Sequence, residues 1–489
     1  MKNKLYLILI LFLFITTTIN AQNNGNIIIG KKELITSKVL NENRTLWIYT
    51  PDVTSLGSDP DKRYPVLYVM DGEAHFYSIV GIIQQLSQAN GNGAVPEMIV
   101  VGIENTNRFR DLVPSNDTNK PNPFINFLSK ELIPFIDKNY KTAPYKILVG
   151  HSLGGLTAVD ILTNYPELFN AYIAIDPSMW LNNEKYLINT TENLSKNLNN
   201  KRLFVGIANS LPKGMKISQV KKDKSKDTEH IRSILKLDKY LSTNNKGLKY
   251  NSKYYEKEIH NTVPLICQYD GLRFVFDYYL MDANEKDFAD STDLIAKKLK
   301  NHYKKISQEM GFQNAAPEAL INYLAFEALD KKYHDKAKAL FELNIDWYPN
   351  SSNVYSSFAD YYLVKNDTIN AITNYKKSLN IKESIEIRRK LDALTNKSEN
   401  TVADDLQKYA GIYILEKYNL PIELVVRENK LFAKVPGQAD DEFVPISKDV
   451  FTVKSKQGYT VTFKFINDKP LEFTSEQPNG TFKAIYKGE

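Results

Sequence analysis

The chain reads as an α/β sheet domain followed by a small all-α repeat region and a small antiparallel β domain. Three observations carry that reading. Between residues 63 and 280 short apolar runs alternate with longer amphipathic stretches, from 288 to 394 a 34-residue recurrence replaces them, and near the C-terminus the hydrophobic period drops to two. A length of 489 residues points to several domains rather than one core. With 43% hydrophobic and 25% charged residues, the composition excludes a disordered or collagen-like chain.

At the N-terminus, Lys2 and Lys4 precede an apolar run from Leu5 to Ile15, followed by small polar residues and Ala21. This pattern predicts a signal peptide over residues 1–21, cleaved near Ala21, and hence a periplasmic or secreted protein. The apolar run falls short of the roughly 20 residues that span a bilayer, so an uncleaved anchor is the weaker alternative. No later run is long enough to span, and Cys267 is the single cysteine, so no intramolecular disulfide is expected. Lys plus Arg is 63 and Asp plus Glu is 57, giving a net +6 with no long basic tract. Nucleic acid is therefore not an expected partner, and anionic substrates are mildly favoured.

Residues 22–285 carry the α/β pattern. Runs rich in Val, Ile and Leu at 65–70, 98–103, 146–149, 171–175 and 203–207 are what parallel strands covered on both faces look like. Residues 124–137 place Phe124, Phe127, Leu132 and Phe135 at near-helical spacing.

In residues 286–395, Ala337 and Phe341 recur as Ala371 and Tyr375, and Leu324 and Ala325 recur as Phe358 and Ala359. This resembles the tetratricopeptide repeat, with Pro349 at that repeat's terminal proline, although Glu383 stands there in the second copy. A plain helical bundle is the alternative. Such repeats imply a possible protein partner. Residues 396–402 read as a linker, and residues 403–489 as an antiparallel β domain, where Tyr459, Val461, Phe463 and Phe465 alternate with polar residues after a Gln457-Gly458 turn. Tyr409-Ala410-Gly411-Ile412-Tyr413 resembles the opening of lipocalin-like β domains appended to some exported bacterial hydrolases.

The chemistry concentrates at residues 146–155, an apolar strand running into Gly150-His151-Ser152-Leu153-Gly154 and then a helix. This is a nucleophile elbow: a turn tight enough to hold Ser152 out at the sheet edge needs neighbours without a bulky Cβ. A serine needs a base, and in this arrangement acid and then histidine follow it in the chain. Of six histidines, His75 precedes the elbow, His151 lies inside it, and His302 and His334 lie in the helical region, which leaves His230 and His260. His230 reads as a surface residue at a helix start. His260 lies in the loop after the last strand and is the expected base. Acid candidates between residue 203 and His260 are Asp223, Asp227, Glu229, Asp238, Glu256 and Glu258, with Asp223 preferred, because Asn209-Ser210 occupies the usual place after the strand. A Ser-His pair with loose carboxylate support is the alternative. The amides of Leu153 and Glu73, the latter in the Asp71-Gly72-Glu73 turn, are the expected oxyanion hole.

Five motifs in order then carry a resemblance. They are residues 68–73 (YVMDGE), 107–114 (NRFRDLVP), 150–155 (GHSLGG), 176–180 (DPSMW) and 260–264 (HNTVP). Together they resemble the esterase family of α/β-hydrolases that includes enterochelin and other siderophore esterases, feruloyl and acetylxylan esterases and the mycolyltransferases. The resemblance implies the α/β-hydrolase fold, Ser152 as nucleophile, His260 as base, the Glu73 and Leu153 amides as oxyanion hole, and His151, Met179 and Trp180 near the substrate. It implies an exported serine hydrolase that cleaves small-molecule or glycan-linked esters, siderophore or polysaccharide-linked among them. An acyltransferase on the same group and a repeat-mediated interaction protein with a silent hydrolase domain are the alternatives. No cofactor is expected, and no metal, since no His or Cys cluster has ligand spacing.

Overall fold

The computed structural model describes residues 27–51, 62–87, 93–115, 122–194, 197–395, 406–447, 449–456, 458–467, 469–477 and 480–488. The expected signal peptide, the linker at 396–402 and Gln457 lie outside these residues. The chain divides into two compact units, Met1–Asn284 with Asn301–Ala315, and Glu285–Lys300 with Ala316–Glu489.

The first unit is built on an eight-stranded sheet. Its strands are β1 (Lys31–Ser37), β2 (Glu42–Tyr49), β3 (Tyr64–Met70), β4 (Ile99–Ile103), β5 (Thr142–His151), β6 (Ala171–Ile175), β7 (Arg202–Ala208) and β8 (Lys249–Tyr255), in the order β1-β2-β4-β3-β5-β6-β7-β8. From β4 through β8 neighbouring strands are parallel, while β1 and β2 add an antiparallel edge. Every residue of β3, β4, β6 and β7 is buried, as strands covered on both faces must be. The edge strands are more open: β1 alternates exposed with buried positions toward its end, and β8 alternates exposed with half-buried ones.

Four helices frame the C-terminal edge of the sheet: α1 (Gly72–Leu86) directly after β3, α2 (Leu153–Asn164) directly after β5, α3 (Glu229–Thr243), and α4 (Val263–Val275) after β8. This is the α/β-hydrolase fold. The segment 124–137, expected as one helix, runs through a π-helical turn at Leu128–Leu132 between two α-helical pieces, with Phe124, Phe127 and Leu132 buried.

In the second unit, α5 (Glu318–Asp330) and α6 (His334–Trp347) form a pair that recurs as α7 (Ser352–Val364) and α8 (Thr368–Ile381). Both starts are displaced by 34 residues, since 352 − 318 = 34 and 368 − 334 = 34. The recurring residues are the packed ones: Leu324, Ala325, Ala337, Phe341, Phe358, Ala359, Ala371 and Tyr375 are all buried. Strands between Gly411 and Gly488 close into an eight-stranded antiparallel barrel. Its interior is filled by side chains: Tyr409, Tyr413, Phe451, Phe463 and Phe473 are buried with ring centroids 4.8–5.9 Å apart. Among the described residues no helix is long and apolar enough to cross a membrane.

Candidate active site

Ser152 sits between β5 and α2 at φ 58° and ψ −112°, a strained turn that lifts its side chain clear of the sheet. The two glycines of the elbow differ in need. A Cβ at Gly150 would overlap the backbone carbonyl of Gly154, whereas one at Gly154 would only reach van der Waals contact with Met70 Cβ at 3.4 Å and Asp71 Oδ2 at 3.5 Å. Ser152 Oγ lies 3.1 Å from Ser178 Oγ, and the Ser178 amide donates to the Ser152 carbonyl at 3.0 Å. The loop after β6 is thereby tied to the elbow.

That loop also supplies the carboxylate. Asp176 is the first residue after β6, fully buried and with φ 42°. Its Oδ2 accepts from His260 Nδ1 at 2.6 Å and from His230 Nε2 at 2.8 Å, and its Oδ1 accepts from the Ala208 amide at 2.9 Å. Burial disfavours the charged form, but the hydrogen bonds from His230 and His260 outweigh it and hold the carboxyl well below the usual range. With Nδ1–H directed at Asp176, Nε2 of a neutral His260 is the nitrogen left to accept a proton.

Asp223, expected in this role, stands elsewhere. Its Oδ2 accepts from the hydroxyls of Ser225 at 2.6 Å and Thr228 at 2.5 Å, so it closes the turn that leads into α3 instead of meeting His260. The place after β7 that lacks an acid has a different use: Asn209 donates from its amide to Glu258 O and from Nδ2 to Glu256 O, both at 2.7 Å, fixing the loop that carries His260.

His151 donates from Nε2 to the His260 carbonyl at 2.8 Å, which tethers the loop that carries His260 to the elbow. Burial, then the neighbouring His260 and His75, push the His151 imidazole down to about 4, so it stays a neutral donor. Met179, expected beside the substrate, is fully buried, while the adjacent Trp180 is 38% exposed.

Glu73 and Leu153 are first-turn residues of α1 and α2, where backbone N–H groups have no partner within the helix. The left-handed conformation of the preceding turn falls on Asp71, at φ 54°, rather than on Gly72. Gly72 is required for a different reason, since a Cβ there would come within 2.6 Å of the Gly102 backbone on β4. Asp71 is fixed by a two-pronged pair with Arg108, Nε to Oδ1 at 2.6 Å and an NH2 to Oδ2 at 3.0 Å, and the same guanidinium reaches the His151 carbonyl at 3.2 Å. The donor atoms of Asp176, His230 and His260 lie within 4.8 Å of one another, close enough to share an ion, although sequence spacing gave no sign of such a cluster.

Comparison with known proteins agrees with this architecture. Residues 37–264 match the family model described as "Putative esterase". The hydrolase region is similar to this esterase family over those residues. An IroE-like serine hydrolase from Shewanella oneidensis is 28% identical with a TM-score of 0.52, covering 64% of this chain and 98% of that one. YbbA, an uncharacterized protein of Bacillus subtilis (strain 168), is 24% identical over 239 residues, 45% of this chain and 91% of its own length. The ferri-bacillibactin esterase BesA of the same organism is 28% identical over 176 residues, 31% of this chain. The chain spans 60% of the length of BesA. Family and named relatives support ester hydrolysis as the chemistry of this region.

Proposed function

We propose that this protein is an exported serine esterase in which Ser152, His260 and Asp176 form the catalytic group. The observation that carries the reading is the buried Asp176 carboxylate 2.6 Å from His260 Nδ1, in a loop whose Ser178 is hydrogen-bonded to Ser152 on the elbow. Ser152 Oγ attacks the ester carbonyl while His260 Nε2 takes its proton. Asp176 stabilises the imidazolium that results. The amides of Glu73 and Leu153, at two helix N-termini, receive the oxyanion. His260 then protonates the departing alcohol, and water activated by the same imidazole hydrolyses the acyl-enzyme.

For the substrate we favour a siderophore ester, a reading supported by the name of BesA, with polysaccharide-linked acyl esters as the second class to test. Export rests on the signal-like residues 1–21, and N-terminal sequencing of the secreted or periplasmic protein tests it. We read the helix pairs of residues 318–381 as tetratricopeptide-like repeats offered to a protein partner.

Hydrolysis of a panel of p-nitrophenyl acyl esters and of a ferric siderophore tests the activity. The expected result is turnover that falls about a hundredfold or more in Ser152→Ala and His260→Ala. Rates equal to wild type in either variant overturn the mechanism.

A further inference from the structure

We infer that His230 is a positioning residue that aims the Asp176 carboxylate at His260; the inference rests on the catalytic group proposed above. His230 and His260 both donate to the same oxygen, Asp176 Oδ2, at 2.8 and 2.6 Å. Their rings stand 88° apart with centroids 5.2 Å from each other, an arrangement in which two N–H groups converge on one oxygen without the rings colliding. The other oxygen is held by the Ala208 amide at 2.9 Å. Asp176 is thus held through both oxygens by protein donors in a site with no exposed surface of its own, which fixes its carboxylate plane. A buried carboxylate with a single imidazole partner would have no second anchor on Oδ2, and any rotation about its terminal bond would turn that oxygen away from the base.

His230 itself is well placed to act as the anchor. It is the second residue of α3, whose Ile231, Ile234, Leu237 and Leu241 are buried and seat the helix against the core. The carbonyl of His230 accepts from Ser233 Oγ at 2.7 Å. The hydrogen bond of its ring goes to the carboxylate, and its effect on the base passes through Asp176.

Steady-state kinetics on the full chain with a p-nitrophenyl ester, in buffer containing EDTA, test this with His230→Ala, His230→Gln, Asp176→Asn and the double variant Asp176→Asn/His230→Ala. Glutamine carries an N–H near the position of the imidazole Nε2. The expected result is a fall in kcat of about 10- to 100-fold for His230→Ala with KM within about twofold, recovery to within about fivefold of wild type for His230→Gln, and no further loss when His230→Ala is added to Asp176→Asn. Melting temperatures of the two single His230 variants should agree with each other. Wild-type kcat in His230→Ala, a glutamine variant no better than alanine, or additive losses in the double variant overturn the inference. Loss of wild-type activity in EDTA also overturns it, because the two histidines would then serve an ion. Absence of wild-type turnover with and without EDTA, together with absence of fluorophosphonate labelling of Ser152, instead defeats the esterase reading on which the inference stands.

Discussion

Asp176 Oδ2 and His260 Nδ1 are 2.6 Å apart, although 84 residues separate them in the chain. The contact exists because β6, β7 and β8 are parallel neighbours, so the loops following β6 and β8 open on the same edge of the sheet. Ligand chemistry in open α/β sheets gathers at that edge, and the Asp176 carboxylate follows one strand after the strand that leads into Ser152 instead of two.

Asp176→Asn should lower kcat by about a hundredfold to ten-thousandfold, since the amide can hold His260 in the wrong tautomer and cannot stabilise its cation. Asp223→Asn should leave kcat within about twofold, because its partners are Ser225 and Thr228. Parallel kinetics on the two variants check which carboxylate serves the base.

Gly150→Ala should destabilise the hydrolase region by about 3 kcal/mol, the range of overpacked sites, because the new methyl would meet the backbone of Gly154. Gly154→Ala should cost less than about 1 kcal/mol. Denaturant unfolding of the two variants side by side measures the difference.

Asp160 on α2 is buried with Asn164 as its hydrogen-bond donor at 2.8 Å, and burial pushes its carboxyl up to about 6. A folded-state value above the unfolded one of about 3.9 means that the group's favourable contribution is complete below pH 4 and is lost as pH rises through 6. Asp160→Asn should therefore stabilise the protein by about 2 kcal/mol at pH 7.5 and by little at pH 4. Thermal melts across that interval check the sign.

Arg44 and Asp111 form an ion pair with both side chains buried, joining β2 to the segment that carries Arg108. Arg44→Met should cost about 3 kcal/mol because Asp111 Oδ2 loses its buried cation and the carboxylate keeps only Arg110, on Oδ1, and the double variant Arg44→Met/Asp111→Leu should recover part of that loss. Chemical denaturation of the single and double variants tests both halves of the statement.

The central strands, the elbow and the helical recurrence were legible because each is a local pattern: apolar runs of four to six residues, a Gly-x-Ser-x-Gly turn, a period of 34. Asp176 is legible as part of a motif but not as the proposed acid, since the usual place for that carboxylate is after the strand at 203–207. A usable signal was present, an aspartate directly terminating the apolar run 171–175. His230 looked like a solvated helix-start residue, and the direction in which such a side chain points depends on how α3 packs, which its own sequence does not encode. The antiparallel strands β1 and β2 went unnamed: β1, at the sheet edge, has no continuous apolar run, and β2, between β1 and β4, begins with four polar residues. Met179 was expected at the substrate, yet its apolar side chain is fully buried beside a serine that contacts Ser152.

The most direct measurement is mass spectrometry of the protein after reaction with a fluorophosphonate. The account predicts one adduct, on the peptide containing Ser152, absent in Ser152→Ala and formed at least about tenfold more slowly in His260→Ala and Asp176→Asn. An adduct on another residue, or undiminished ester hydrolysis by the Ser152→Ala protein, would contradict it.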